Sequence, residues 1–458
     1  MQTPRTSTPG TNKMETAPVH TLLFSLSLPI MFSMMMQALY NIVDSVFIAR
    51  FSEKALSAVC LTYPMQTLMI AISIGTCIGV NAFLSRTLGQ KDLAKARVIV
   101  QHGVLLMLLS YLVFLLAGLF LVRPYFAIQT ADAEIIAHGV DYMSVCLVFS
   151  VSMFGQQLFE KLLQANGRAV LSMTSQLLGA LVNVALDPLL IFGFAGLPAL
   201  GARGAAIATV IGQFMAFACA FLLNQHYNRE IRFSFAQFRF DAAILREIYK
   251  IGLPAILMQS IGSLANFLLN GILLTFSATA TAVFGLYYKL QNFVFMPVYG
   301  LTSGMLPILA YNLGARQKKR MLGALRWGML YMAVIMLAGT AAFQLAPRQL
   351  LALFGASPEM TAIGVPALRI ISLYFIFEGF CLISQTCFQS LGRGLTSLVC
   401  SLARQLVLLM PLAYLMSLGG ALEGVWLAYP LTGVLSSAVC LLLWRDVYRK
   451  NIEAIPEG

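Results

Sequence analysis

The chain has 458 residues, 59% of them hydrophobic and only 10% charged, with a mean hydropathy of +0.81. No soluble globular domain has that composition, so this is the sequence of a polytopic membrane protein. The net charge of +12 does not point to nucleic acid, because the basic residues are dispersed at the ends of apolar segments, where they set topology.

Residues 1–20 are polar and rich in Thr and Pro, and are expected to form a short mobile tail. The first apolar run, about 21–49, is too long for a signal-peptide core and is followed by no small-residue cleavage site, so it is read as the first span. Spans at about 55–84, 98–122, 137–159, 169–194 and 203–225 complete a first lobe of six helices over 21–225. A polar connector over 226–245 leads to six more spans, at about 247–275, 280–310, 324–345, 363–388, 395–417 and 422–444. These form a second lobe over 246–445, and a basic tail over 446–458 closes the chain.

Twelve spans put both termini on one side. Loops on that side hold most of the Lys and Arg, among them Lys91, Lys95, Arg168, Arg246, Lys318, Lys319 and Arg393. The opposite loops carry only Arg50, Lys54, Arg123, Arg203, Arg348 and Arg369. That asymmetry predicts cytoplasmic termini and connector in a multi-pass protein of the plasma (inner) membrane. The eight cysteines all fall in apolar runs without metal-ligand spacing and are expected to be buried free thiols. There is no Walker motif, no GxGxxG in a strand context and no HExxH, so neither an ATP-driven pump, an enzyme nor a bound cofactor is expected.

The two lobes repeat each other at a constant offset of 225, the difference between Leu28-Pro29 and Leu253-Pro254. Asn41 matches Asn266, Tyr63 matches Tyr288, Gly79 matches Gly304, and Gln164, Gly167 and Arg168 match Gln389, Gly392 and Arg393. The register slips only before the last span, where Gly204 faces Gly424. Six spans per unit means that both units start on the same side. They are parallel repeats about an axis along the membrane normal, with a cavity between two bundles that can rock about it.

Polar residues inside hydrocarbon are costly and mark function. Asp187 lies in the fifth span, in Asn183-Val-Ala-Leu-Asp187-Pro188, with Asn183 one turn earlier on the same face. Pro188 lacks an N–H and frees a carbonyl one turn back. Asp44 lies in the outer half of the first span and can share a cavity with Asp187. The repeat breaks at these positions: Asp44, Asn183 and Asp187 face Leu269, Leu408 and Leu412. A coupling-ion site for H⁺ or Na⁺ in the first lobe alone is the reading this favours. In the second lobe Lys289, Glu378 and Arg404 are intramembrane. Glu378 and Arg404 lie at similar depth and either pair with each other or leave Glu378 to attract cationic substrate. Met36, in Met31-Phe-Ser-Met-Met-Met36, and Tyr40 one turn further on are candidates to line the substrate cavity together with Glu378 and Arg404.

The ordered set Leu28-Pro29, Gln37-Ala-Leu-Tyr-Asn-Ile-Val-Asp44, Leu88-Gly-Gln90, Gln164-Ala-Asn-Gly-Arg168 and Asn183-x-x-x-Asp187-Pro188 resembles the multidrug and toxic-compound extrusion (MATE) family, in its prokaryotic DinF-like branch. The resemblance covers about residues 20–445. It implies an all-α integral membrane protein whose two six-helix lobes enclose a V-shaped cleft, acting as an antiporter of lipophilic cationic drugs against H⁺ or Na⁺ by alternating access. It implies a cation-coupling cluster of Asp44, Asn183, Asp187 and Thr209, and a first-helix bend at Pro29. The expected partners are small cationic or amphipathic molecules and the bilayer, with no nucleic acid, and the chain suffices as a monomer. A lipid-linked oligosaccharide flippase of the same superfamily is the rival. It would need several cavity cations, and only Lys289 and Arg404 are available.

Overall fold

The computed structural model describes residues 13–193, 198–234, 238–453 and 455. Among the described residues the regular structure is entirely helical. Hydrocarbon offers no water to backbone N–H and C=O groups, and a helix satisfies them within one segment. Ten helices are long and apolar enough to cross a membrane, and two bent pairs raise the number to twelve. The first lobe holds α1 (Val19–Phe51), α2 (Glu53–Gly89), α3 (Leu93–Phe120), α4 (Ala133–Val148 and Val151–Ala165), α5 (Ala169–Phe192) and α6 (Gly201–Tyr227). The second holds α7 (Ala242–Leu274), α8 (Ala278–Gly314), α9 (Lys318–Leu345), α10 (Pro358–Ser372 and Phe375–Ser390), α11 (Gly394–Ser417) and α12 (Leu422–Val447).

The helices overrun the apolar windows because they continue until a cap stops them. Ser52 accepts from Ala55 N at the start of α2, and its repeat mate Ser277 accepts from Ala280 N at the start of α8. The sequence reading did not anticipate that spans four and ten are broken, by 44° between Val148 and Val151 and by 46° between Ser372 and Phe375. Neither break contains Gly or Pro, so nothing in the local pattern announces it. The two breaks fall within one residue of matching positions of the repeat.

The lobes meet along a two-fold seam at the end of the bundle that carries the termini. Gly75 and Gly79 of α2 lie against Ile248, Gly252 and Ile256 of α7, while Gly300 and Gly304 of α8 lie against Met31 and Ser27 of α1. A Cβ at Gly300 would stand 2.6 Å from the Met31 backbone, and one at Gly304 2.5 Å from Ser27 Oγ. Lower down, Gly89 abuts the Tyr311 carbonyl and Gly314 abuts the Arg86 carbonyl. Small-xxx-small pairs let backbones approach closely enough for van der Waals contact to hold helices together.

The start of the chain braces the same end. Lys13–Thr16 is a short helix, Met14 is fully buried, and Arg320 donates to the Met14 and Ala17 carbonyls at 2.9 and 2.8 Å. Residues 14–17 are therefore packed rather than part of a mobile tail. Residues 1–12 of that expected tail lie outside the described residues. The cysteine expectation also needs correction. Cys400 on α11 and Cys440 on α12 are joined as a disulfide, and Cys60 is exposed. The two partners are 40 residues apart in sequence, and only helix packing makes them neighbours.

Candidate functional site in the first lobe

The site forms where α5 and α6 come close. A Cβ at Gly179 would stand 2.7 Å from the Gly212 carbonyl, and one at Gly212 2.6 Å from the Gly179 carbonyl, so only glycine at both positions permits the approach. That contact sets Thr209 of α6 beside Asn183 of α5. Asn183 Nδ2 donates to Asp187 Oδ1 and to Thr209 Oγ1, both at 3.3 Å. Asp187 has no solvent exposure and Asn183 has 3%. Asp44, from α1, stands within electrostatic reach of Asp187, and α1 packs along α5. The structure thus joins Asn183, Asp187 and Thr209 in one hydrogen-bonded network, and Asp44 reaches that network only through its electrostatic effect on Asp187.

Three oxygens there are buried without a hydrogen-bond partner: Asp44 Oδ1, Asn183 Oδ1 and Asp187 Oδ2. Orphaned acceptors are costly in a protein interior. An oxygen-only donor set of two carboxylates, an amide and a hydroxyl suits a proton or a hard cation such as Na⁺ rather than a soft metal. A cavity of about 20 Å³ adjoins Asn183 and Thr209, lined also by Tyr40, Gln156, Gln176 and Gln213. That is room for about one water.

Beyond the cavity, Gln156 donates to Glu160 at 3.0 Å, and Glu160 is only 4% exposed. The span boundary drawn at residue 159 left this carboxylate outside the membrane in the sequence reading. The usable signal was the stripe Gln156, Glu160, Gln164 at four-residue spacing, which lies on one helix face.

The other expected residues divide. Tyr40 lines the first-lobe cavity, whereas the half-buried Met36 does not. Glu378 and Arg404 form an ion pair inside the second lobe, both buried, with Tyr374 donating to Glu378. Of the two readings the sequence leaves open for them, the structure shows the mutual pair, which turns the Glu378 carboxylate toward Arg404. Arg404 lies in a π-helical stretch, Ala403–Leu409, in α11. α1 passes through Pro29 as one helix. Lys289 is exposed on α8 and has no ion-pair partner among the described residues.

Two six-helix lobes related by an internal repeat, with an orphaned carboxylate pair in one lobe only, define a membrane transporter whose halves have diverged. The MatE family model matches residues 29–189 and 254–415, two stretches that begin 225 residues apart, as the repeat requires. The chain belongs to this family, the MATE transporters. A FAD transporter of Shewanella oneidensis is 28% identical over 441 residues, covering 94% of this chain and 95% of that protein. The multidrug export protein MepA of Staphylococcus haemolyticus is 25% identical over 413 residues, covering 90% of each chain. Among solved structures, an outward-facing multidrug resistance MATE transporter superposes with a TM-score of 0.90 at 24% identity, over 98% of this chain and all of that one. A transporter from Pyrococcus furiosus, described as having a binding pocket of reversed polarity, superposes with a TM-score of 0.88 at 24% identity, over 97% of this chain and all of that one.

Proposed function

We propose that the protein is a secondary active multidrug efflux transporter of the inner membrane, exchanging lipophilic cationic drugs for H⁺ or Na⁺. The observation that carries this reading is the set of orphaned oxygens on Asp44, Asn183 and Asp187, facing leucines at the matching positions of the other lobe. When the two carboxylates are ionised in that low-dielectric pocket, positive charge is favoured. Arrival of H⁺ or Na⁺ neutralises them and releases the drug. The relation to multidrug export proteins supports the substrate class.

The basic loops support cytoplasmic termini, which makes the glycine seam an inner gate and this conformation outward-facing. Asn183 holds Asp187 and Thr209 in one network, so occupancy by a cation alters the α5–α6 contact, which in turn biases the packing of α1 on α8 across the seam. Purified protein in proteoliposomes, with pH and sodium gradients imposed separately, tests the proposal. Drug uptake driven by neither gradient overturns it.

Flavin export is a second reading, supported by the FAD transporter relative and by the unpaired Lys289, a cation that an anionic dinucleotide could meet. FAD and a cationic dye supplied to the same vesicles separate the two readings.

A further inference from the structure

The second lobe holds a cluster that the transport scheme does not use. Cys381 of α10, Cys400 of α11 and Cys440 of α12 are buried, and their three sulfurs lie within 4.8 Å of one another. Cys440 Sγ is 3.6 Å from Cys381 Sγ. We propose that in its reduced form this triad is a binding site for a single soft, thiophilic cation, Cu⁺ or Hg²⁺.

Metal–thiolate bonds are about 2.3 Å, so three sulfurs around one ion stand about 4 Å apart, close to the 3.6 Å between Cys440 and Cys381, and reduction frees the bonded Cys400 and Cys440 sulfurs to part to that distance. The donor set selects the metal class. No His, Asp or Glu joins the triad within ligand distance among the described residues, and the oxygen beside it is a serine hydroxyl, Ser436 Oγ at 3.6 Å from Cys381. Three thiolates without a fourth strong ligand suit a three-coordinate soft ion. Zn²⁺ completes a tetrahedron, and hard cations want oxygen.

Burying thiolates demands compensating positive charge, which the bound cation itself supplies, beside an Arg404–Glu378 pair that is neutral as a pair. Arg404 is one turn beyond Cys400 on α11, 6% exposed, with an unpartnered Nε, and within electrostatic reach of Cys381. Glu378, its ion-pair partner, is three residues from Cys381 on α10. At the repeat positions the first lobe carries Gln156, Ser175 and Ala220, so the triad belongs to one lobe only.

The Cys400–Cys440 bond must be reduced first. A phosphine takes the oxygen of one water and delivers two electrons, leaving two thiols. Binding Cu⁺ then forms three Cu–S bonds and releases three thiol protons. The proposal stands apart from the transport reading.

The test is Cu⁺ titration of phosphine-reduced, full-length protein in detergent against the chelator bathocuproine disulfonate. The reference is the variant C60S/C146S/C219S, which keeps the triad. It should retain one Cu⁺ per chain against chelator, and adding C381S, C400S or C440S singly should weaken retention at least tenfold by the loss of one ligand. Elution volume and drug transport should stay unchanged. C381S is decisive because it spares the Cys400–Cys440 pair, so full retention in that variant overturns a three-sulfur site. The proposal also falls if the reference variant holds no more copper than its C381S/C400S/C440S derivative, or if alkylation and mass spectrometry show that the Cys400–Cys440 bond survives reduction.

Discussion

The two lobes are copies on the outside and strangers within. Along the seam the symmetry is kept in detail: Gly75 and Gly79 do on α2 what Gly300 and Gly304 do on α8, and the breaks of α4 and α10 fall within one residue of the same register. Inside, α5 buries Asn183 and Asp187 with unpartnered oxygens. Its mate α11 carries leucines there and instead holds Arg404, paired to Glu378, in a π-helical turn. A hinge needs matched halves, because both must slide on equivalent surfaces. A coupling site needs only one copy. The second lobe resolves its buried charge internally, whereas the first leaves its charge unresolved, and the unresolved lobe is the one that can respond to an ion.

Breaking the first lobe's site should have the largest effect. Asp187→Asn keeps the shape and removes the charge, and gradient-driven drug uptake into vesicles should fall to the level of empty liposomes while the protein still inserts and elutes as wild type. Uptake at the wild-type rate would show that the drive lies elsewhere.

Breaking the second lobe's pair should act on stability instead. Arg404→Met leaves Glu378 buried without its cation, at a cost of about 3–5 kcal/mol, read as a lower melting temperature in detergent. The double variant E378Q/R404M should recover much of that loss. A single variant as stable as wild type would mean that the pair contributes little.

The symmetric seam offers a sharper test. Gly79→Val or Gly304→Val should each wedge it open, by about 1–3 kcal/mol of overpacking, and shift spin-label distances between the inner ends of α2 and α8 to longer values. Because the halves are equivalent here, the two variants should act alike, and an effect from only one would break the symmetry argument.

The smallest effect belongs to the outer rim. Lys54 bridges Asp132 at 3.2 Å and Glu134 at 2.7 Å with all three partly exposed, and exposed pairs contribute little. Asp132 has its pKa lowered by the Ile135 backbone N–H, then by Lys54 and the Glu134 N–H. A depressed carboxylate stabilises the fold above its unfolded pKa and loses that contribution as pH falls through the folded value, so any acid sensitivity from this cap should appear only below about pH 4. Lys54→Ala should leave the melting temperature at pH 7 unmoved within error, and a clear drop would show that the rim carries more than screening allows.

Most of the architecture was legible in the chain itself. Long apolar runs must be helices in a bilayer, and the 225-residue register set the parallel repeat before any contact was known. Asp44, Asn183 and Asp187 stood out because polar and charged groups in hydrocarbon are costly wherever they occur. Glu160 was missed because a hydropathy window places a span's end only to within a turn or so, and a carboxylate at that edge reads as loop. The Cys400–Cys440 link was missed because sequence distance says nothing about which helices pack together.

What the residues alone determined, then, is whatever depends on transfer from water to lipid: the number of spans, the repeat, and which side chains are too polar to sit there without a purpose. Tertiary structure decided what depends on neighbours. It showed that Gly179 and Gly212 draw Thr209 to Asn183, that Glu378 pairs with Arg404, and that the lobes close at the end carrying the termini. Solvation acts on each residue separately and can be read one position at a time, whereas hydrogen bonds and close packing are properties of pairs that meet only once the helices have been arranged.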